Sequence, residues 1–329
     1  MNNSFDALLM AYFESELLTD GEQIRLAVTA GPEPTTWVPL DDGRPMLRST
    51  VGERGARDPF LIRDTRRGVF NIIATDLRVF PDQDWDRATR AGSRSIVVWE
   101  SEDLVTWSEP WLCEVSPPTA ANTWAPKAFW SASEQHWVVL WASALYDNDD
   151  RTSATYQRIL MATTADFREF TAPVVYLDLG FNVIDVTFLE NEGTWYRFSA
   201  TAHGEYSPDL GNHIFIEQGP SMLSADFRPL AVDVGKGVLV RGEGPAVVRS
   251  VNGDRWYLLI DEFGHRGYQL FETTDLATGK WDHLSTAVLP AGARHGSLLP
   301  ITLMEKARLI EANRREAIAS STGSPRGGR

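Results

Sequence analysis

The sequence has a single cysteine and a shortage of basic residues. Cys113 is that cysteine, so the chain cannot form an internal disulfide or a zinc site built from several thiolates. Lysine and arginine number 31 against 45 aspartate and glutamate residues, which gives a formal net charge of −14. An acidic chain repels phosphate backbones and anionic lipid headgroups, and no basic stripe offsets this. These features argue against a nucleic-acid or membrane partner and favour a neutral substrate.

Long apolar runs are also missing. No stretch approaches the roughly 18 consecutive apolar residues of a membrane-spanning helix. The first residues, Met1–Asp6, have neither the basic region nor the apolar stretch of a secretory signal. From this we expect a cytoplasmic protein, unless a leader has been removed.

Helical periodicity is nearly absent until the end of the chain, where Thr302–Ile318 repeats its apolar residues as a short amphipathic helix does. Elsewhere, short runs rich in β-branched and aromatic residues, such as Val69–Thr75 and Trp256–Asp261, are separated by turn-forming residues. A hydrophobic content of 43%, with 12 tryptophans, is ample for a core. The pattern predicts an all-β chain that ends in a short helix.

A repeat runs through the chain. Several apolar runs are followed by Ser or Thr, an aspartate and an apolar residue, and the four aspartates are Asp103, Asp166, Asp226 and Asp275. Their spacings are 63, 60 and 49 residues, which suits the four short strands of a β-propeller blade. Taken singly, each aspartate is best explained as a turn-former in a hairpin.

The two ends of the chain complement each other. Leu8–Phe13, Gln23–Thr29 and Val38–Leu47 resemble a blade without its innermost strand, and Gly296–Thr302 resembles an innermost strand without partners. Pairing them would close the ring and remove open sheet edges. We therefore predict a five-bladed β-propeller closed by N-terminal strands that pair with the last inner strand. It should form a single domain over residues 1–318, followed by a disordered tail over 319–329.

The innermost strands of a propeller converge on its axis, so the residues that open them should meet. The five openings lie at Asp58, Trp124, Asp185, Glu243 and His295, and three of them are carboxylates. Glu243 stands between two glycines, where the backbone lets a ligand approach closely. Converging carboxylates repel one another, which raises the pKa of at least one and leaves another ionised. Glycoside hydrolysis needs such a pair of general acid and general base.

An ordered set of motifs in the sequence resembles the motifs of a known enzyme family. The chain resembles glycoside hydrolase family 43 over roughly residues 8–310, through the segments Ala56–Arg63, Asn122–Pro126, Val183–Asp185, Arg241–Pro245, Ile260–Gly264 and Arg294–Gly296. The resemblance implies a five-bladed propeller and an inverting hydrolase of arabinose- or xylose-containing glycans that requires no cofactor. It implies that Asp58 is the general base, that Glu243 is the general acid, and that Asp185 orients and tunes the acid.

The resemblance also implies substrate-binding residues, for which we select Trp124, Lys127, Arg294, Asp76 and Glu262. Trp124 could stack on a sugar or simply fill the narrow end of a blade. Lys127 departs from the family pattern, because relatives usually carry a glutamate there, and an ammonium would alter the field of the pocket or a substrate contact. His295 is expected near the axis, either as an ordinary buried histidine or as a holder of a water or a structural ion such as calcium. A catalytic zinc is not expected, because no other histidine has ligand spacing to it.

The leading functional hypothesis is an exo-acting α-L-arabinofuranosidase that acts on arabinan-type oligosaccharides. A β-xylosidase is the first alternative, although many carry an extra β-sandwich domain for which too few residues follow Thr302. A glycan-binding propeller without turnover is the second, and Lys127 keeps it open. A sialidase is disfavoured, because the glycine and threonine of an Asp-box are not in place in Ser101–Trp107 and no arginine triad is evident. The sequence does not predict the oligomeric state.

Overall fold

The computed structural model of the protein describes residues 5–201 and 212–322. This part of the chain contains two α-helices, α1 (Trp85–Arg90) and α2 (Leu303–Thr322). Its strands are β1 (Ala7–Phe13), β2 (Arg25–Thr29), β3 (Trp37–Pro39), β4 (Arg57–Asp64), β5 (Val69–Thr75), β6 (Ser95–Ser101), β7 (Trp111–Glu114), β8 (Trp124–Ser131), β9 (His136–Ala144), β10 (Gln157–Thr164), β11 (Val174–Leu177), β12 (Ile184–Asn191), β13 (Thr194–Ala200), β14 (Ile214–Gly219), β15 (Arg228–Val234), β16 (Glu243–Arg249), β17 (Trp256–Glu262), β18 (Gly267–Thr273), β19 (Asp282–His283) and β20 (Arg294–Ile301).

The strands form five antiparallel sheets of four, which are the blades of a propeller. Four blades take consecutive strands, beginning with β4, β8, β12 and β16 as the innermost strand. The fifth has the order β20-β1-β2-β3, so both ends of the chain build it. Leu8 pairs with Pro300 and Met10 with Leu298 across the joint. The predicted five-bladed propeller and its closure are confirmed.

The core lies between the blades. β1 is buried along its whole length, because each blade packs against a neighbouring blade on both of its faces. One apolar cluster joins Leu140 of β9, Phe198 of β13 and Leu258 of β17, and another joins Leu9 and Leu299 to Ile72. Fully burying a side chain of this size contributes roughly 1.5–3 kcal/mol. The apolar side chains packed between neighbouring blades therefore stabilise the ring.

The repeated aspartates occupy equivalent turns. Asp103, Asp166, Asp226 and Asp275 each lie between the third and fourth strands of a blade. Asp103 accepts hydrogen bonds from the backbone N–H groups of Val105 and Thr106, and Asp275 accepts one from Ala277. The turn-forming role expected of the repeat is confirmed at these two positions.

The helices differ somewhat from expectation. α1 was not predicted, although Asp84 caps it by accepting a hydrogen bond from the Arg87 N–H, and its six residues are too few to show a period. α2 begins after a capping box, in which Thr302 and Glu305 exchange hydrogen bonds. It continues to Thr322, four residues past the predicted end at Ile318, so the predicted boundary at 319 falls inside the helix. Residues 323–329 of the predicted tail lie outside the described part of the chain. None of the described helices is long and apolar enough to cross a membrane.

Candidate active site

The innermost strands share a distortion at the point where they open. In β4, β8, β12 and β16 the pairing with the next strand shifts register within the first few residues, as at a β-bulge. The second residue of each strand has a positive φ: 54° at Asp58, 50° at Ala125, 59° at Asp185 and 56° at Gly244. Proline follows three of them, where no ladder hydrogen bond is lost. Bulges of this kind redirect side chains, and here they occur at four equivalent positions around the axis.

Two of these residues, Asp58 and Asp185, meet at His295, the second residue of β20. The Nδ1 atom of His295 lies 3.2 Å from Oδ1 of Asp58 and 3.7 Å from Oδ2 of Asp185. The backbone N–H of Gly244 donates to the same Asp185 oxygen at 2.9 Å. A Cβ on Gly244 would lie 2.4 Å from Cγ of His295, so only glycine fits there. The bulges therefore bring residues of four blades into contact around one imidazole.

Asp58 is held as an acceptor on both oxygens. The Thr75 hydroxyl donates to Oδ2 at 2.7 Å, and His295 Nδ1 faces Oδ1. Asp58 is 9% exposed and lines the cavity above the axis, so a water can reach it. A fixed, accessible carboxylate is the group that a water-activating base requires.

Glu243 and Asp185 have environments that favour their neutral forms. Burial raises the pKa of Glu243 well above its ordinary value; Arg294 opposes this, and the carboxylates around it add to it. The Arg294 guanidinium lies 3.1 Å from Glu243, but it also pairs with Asp261 at 3.0 Å and Glu16 at 2.7 Å. Its charge is thus shared among three carboxylates. Burial, reinforced by the charge of Asp58, raises the pKa of Asp185 to about 7.

These groups line a cavity of about 480 Å³ at the end of the propeller axis. Its wall contains Asp58, Asp185, Glu243 and His295, together with Trp124 and Arg294, two of the predicted substrate-binding residues. The structure thus brings together the three predicted carboxylates and places Trp124 where a sugar could contact it.

Three other predicted substrate-binding residues do not line this cavity: Asp76, Lys127 and Glu262. Asp76 accepts hydrogen bonds from Glu53 N–H and the Ser93 hydroxyl, and Glu262 accepts from Val240 N–H. Asp76 directly follows Thr75, and Glu262 directly follows Asp261. Because Thr75 and Asp261 face the site and successive strand residues point to opposite faces, Asp76 and Glu262 face away from it. Lys127 is 1% exposed and lies beneath His295. The structure therefore does not bring these three residues together with the carboxylates at the cavity, and their role as substrate contacts stays a prediction.

Two residues at the site were overlooked in the sequence. Arg57 lies on the cavity wall with its guanidinium 3.2 Å from Glu22 and stacked near the rings of Phe13 and Trp85. Asp261 pairs with Glu243 across the β16–β17 ladder and is fully buried against Arg294. Both residues are direct neighbours of residues that the sequence analysis had selected: Arg57 precedes Asp58, and Asp261 precedes Glu262. The sequence did not show which residue of each pair faces the cavity, because side chains alternate between the two faces of a strand and a bulge shifts that alternation.

An ion beside His295 would have to share its surroundings with a positive charge. The Nε2 edge of the ring faces the Lys127 ammonium at 3.2 Å, so a positive charge already occupies that side. Among residues 5–201 and 212–322, no group of three or more His, Cys, Asp or Glu side chains has the geometry to hold a metal. These residues therefore do not fit a bound metal cation beside His295.

A propeller with converging carboxylates at its axis defines the class of protein, and comparison with known families agrees. The family model described as a probable glycosyl hydrolase domain, related to family 43, matches residues 3–307. The chain belongs to this family. The match confirms the family predicted from the motifs.

The chain is similar to one named relative in sequence and to two solved structures in fold. An α-L-arabinofuranosidase of Bifidobacterium longum subsp. longum is 28% identical over 311 residues, which cover 84% of this chain but only 29% of that protein. A thermostable family-43 glycoside hydrolase of known crystal structure gives a TM-score of 0.54 at 16% identity, covering 76% of this chain and 81% of the other. A family-43 β-1,3-galactosidase gives 0.55 at 11% identity, covering 83% and 54%. At such identities the two structures show the shared fold alone.

Proposed function

We propose that the protein is an exo-acting, inverting α-L-arabinofuranosidase that acts on arabinan-type or other arabinose-containing oligosaccharides. The observation that carries this proposal is the convergence of Asp58, Asp185 and Glu243 on one cavity. The similarity to the Bifidobacterium arabinofuranosidase supports the choice of sugar. The cavity volume of about 480 Å³ suits one sugar ring and its immediate neighbour.

Asp58 and Glu243 each carry out one of the two proton transfers of the reaction. Asp58, fixed by Thr75 and His295, takes a proton from the water that attacks the anomeric carbon. Glu243, whose pKa burial raises well above its ordinary value, gives its proton to the departing oxygen. Inversion requires room for that water, so the two carboxyl groups are expected roughly 6.5–9.5 Å apart.

Asp185 has a supporting role in this proposal. The N–H of Gly244, the residue after the acid, donates to its carboxylate and ties it to the strand that carries Glu243. Its charge is one of those that raise the pKa of Glu243. Asp185 therefore orients and tunes the acid without transferring a proton itself.

A panel of aryl glycosides tests the sugar. We expect the highest kcat/KM for the α-L-arabinofuranoside, with β-D-xylopyranoside and β-D-galactopyranoside far behind. A preference for either of the latter would overturn the arabinofuranosidase proposal. Binding of arabino-oligosaccharides without turnover of any substrate would favour the glycan-binding alternative.

Proton NMR of the first-formed sugar tests the stereochemistry. We expect the β-anomer of arabinose from the α-linked substrate, before mutarotation. Release of the α-anomer would mean that a carboxylate acts as a nucleophile, and the role proposed for Asp58 would be wrong.

A further inference from the structure

Lys127 is a buried cation on the propeller axis that the proposed mechanism does not use. Its side chain is 1% exposed, and its Nζ lies 3.2 Å from Nε2 of His295 and 5.3 Å from the centre of the Phe60 ring. It also lines a small cavity of about 110 Å³ on the axis. A lone buried ammonium is costly, so such groups are kept where charges or acceptors face them.

The charged and titratable groups that face Lys127 come from three other strands. They are Asp58 on β4, Asp185 on β12 and His295 on β20, whereas Pro245 and Ala246 of β16 contribute only apolar surface. The two carboxylates favour the ammonium, while burial dominates and lowers the pKa of Lys127 to about 8. The side chain is therefore largely charged at neutral pH.

The contact with His295 determines where the imidazole carries its proton. An ammonium has donors and no acceptor, so the Nε2 atom beside it must accept. Burial, together with the Lys127 charge, lowers the pKa of His295 well below its ordinary value, so the ring is neutral. A neutral ring with Nε2 as acceptor carries its proton on Nδ1, the atom 3.2 Å from Asp58 Oδ1.

We infer that Lys127 is a positioning residue that acts on the proposed base through His295. The ammonium fixes the imidazole with its proton on Nδ1, and that N–H orients the Asp58 carboxylate. The ammonium also supplies the positive charge at the axis, so activity does not depend on a divalent cation. Lys127 touches no substrate in this arrangement. The inference rests on the proposed role of Asp58, but not on the identity of the sugar.

The tautomer can be measured on the wild-type protein, without any variant. Long-range proton–nitrogen NMR of the histidine rings should show His295 with a protonated Nδ1 and a bare Nε2, assigned by comparison with His295→Gln. A protonated Nε2 would overturn the inference. This measurement requires no activity, so it remains informative if the proposed sugar specificity fails.

The variant Lys127→Met tests the effect on the base. Loss of the ammonium removes the contact that holds Nε2 as an acceptor, so His295 should populate both tautomers and Asp58 should lose its fixed orientation. We expect kcat on the best wild-type substrate to fall about tenfold with KM little changed, and the histidine NMR of the variant to show a mixture of tautomers. Lys236→Met, at an exposed lysine, is the matched control and should keep the wild-type kcat and tautomer. Thermal unfolding shows whether Lys127→Met is folded; if it is not, the wild-type tautomer decides. A folded variant with an unchanged kcat and an unchanged tautomer would overturn the inference. A chelator should leave wild-type kcat unchanged, and a loss restored by calcium would contradict the ammonium's role.

A second cavity adjoins the active site and carries a separate inference. It has a volume of about 580 Å³ and lies between α1 and the segment that joins β9 to β10. It shares four residues with the active-site cavity: Trp85, Thr89, Gln157 and Asn182. Trp85 is 37% exposed at this junction. The Asn182 oxygen accepts from the Gln157 N–H, which leaves the amide NH₂ of Asn182 as a donor at the same place.

The geometry points to this second cavity as a binding site for further sugar units of the substrate, an inference that rests on the proposed function. An exposed indole offers a face to a sugar ring, and amides supply directed hydrogen bonds to hydroxyl groups. The substrate would then be an oligosaccharide of at least three units, of which the terminal unit and its immediate neighbour occupy the carboxylate cavity.

Filling the second cavity distinguishes this inference from the proposed function. Ala154 is exposed and lines only the second cavity, so Ala154→Trp should block it and leave the carboxylates untouched. We expect kcat/KM for an arabino-oligosaccharide to fall about tenfold, with an aryl arabinofuranoside little changed. Ala132→Trp, at an exposed turn outside both cavities, is the matched control. Equal values for variant and wild type on the oligosaccharide would overturn the inference, as would a parallel loss on both substrates. Failure of the wild type on every arabinoside would instead overturn the proposed function.

Discussion

At the scale of single residues, environment separates carboxylates that look alike in the sequence. Asp58 accepts hydrogen bonds on both oxygens, whereas Glu243 is half-buried among other carboxylates that share one guanidinium. The first arrangement holds the carboxylate in a fixed orientation, as a base requires, and the second raises the pKa of Glu243, as an acid requires. The division of roles therefore follows from neighbours contributed by different blades.

The role of Glu243 can be tested by the choice of leaving group. Glu243→Ala should lower kcat on natural linkages on the order of 10²–10⁴-fold, because an alkoxide must be protonated as it departs. An activated aryl arabinofuranoside should be far less affected, since its phenolate leaves unaided. Asp58→Ala should impair both substrates, because the water still needs its base. Glu169→Ala, at an exposed glutamate, is the control. Equal losses of both substrates in Glu243→Ala and Asp58→Ala would contradict this division.

The role of Asp185 can be tested through the pH profile. Its negative charge helps to raise the pKa of Glu243, so Asp185→Asn should lower that pKa. Glu243 would then lose its proton at lower pH, so the alkaline limb of the kcat–pH profile should shift to lower pH by up to about one pH unit. The effect should appear above pH about 7, where Asp185 is ionised in the wild type. Asp226→Asn, in an exposed turn, serves as the control. A raised KM with an unmoved profile would indicate substrate contact instead.

At the scale of structural elements, the bulged openings of the inner strands build the site. A regular strand would alternate its side chains between the two faces of the blade. The positive φ at Asp58 and Asp185 interrupts that alternation, and both side chains reach His295. The energetic cost of left-handed backbone at a non-glycine residue is about 1–2 kcal/mol. Both residues adopt this costly conformation at the proposed site, which accords with the concentration of backbone strain at functional positions.

Gly244 gives a direct test of this geometry. Gly244→Ala should destabilise the protein by more than the usual cost of alanine at positive φ, about 1–2 kcal/mol, because its Cβ would meet the His295 ring. Activity should fall as well, since His295 must move. Gly193→Ala is a matched control, because its φ is +80° and nothing lies within 4 Å of the added Cβ. Urea unfolding and kcat on the aryl substrate measure both effects. Similar losses for the two variants would show that His295 is free to shift.

At the scale of the whole molecule, the ring is closed by the two ends of the chain. β20 supplies the Arg294 and His295 of the site, and its neighbour in the sheet is β1. The closing blade packs against the blade of β4 on one side and that of β16 on the other. The site and the stability of the fold therefore depend on the same long-range pairing.

Deletion of residues 1–30 tests that dependence. The truncated chain lacks β1 and β2, which leaves β20 without its partner and exposes the apolar faces of two blades. We expect loss of cooperative thermal unfolding, measured by circular dichroism, together with loss of activity. Deletion of residues 323–329 is the control, because all twenty described strands precede it. A truncated protein that melts cooperatively at the wild-type temperature would show that the closure is dispensable.

The sequence by itself determined the strand repeat, the number of blades, the closure by the chain ends, and the positions of Asp58, Asp185 and Glu243. These features depend on local patterns of apolar, turn-forming and acidic residues, which the order of residues records directly. The tertiary structure alone decided which neighbour faces the axis. It selected Asp261 over Glu262 and placed Lys127 beneath His295. A one-residue difference in a bulged strand reverses the face that a side chain occupies, and the bulge becomes visible only when the strand is paired.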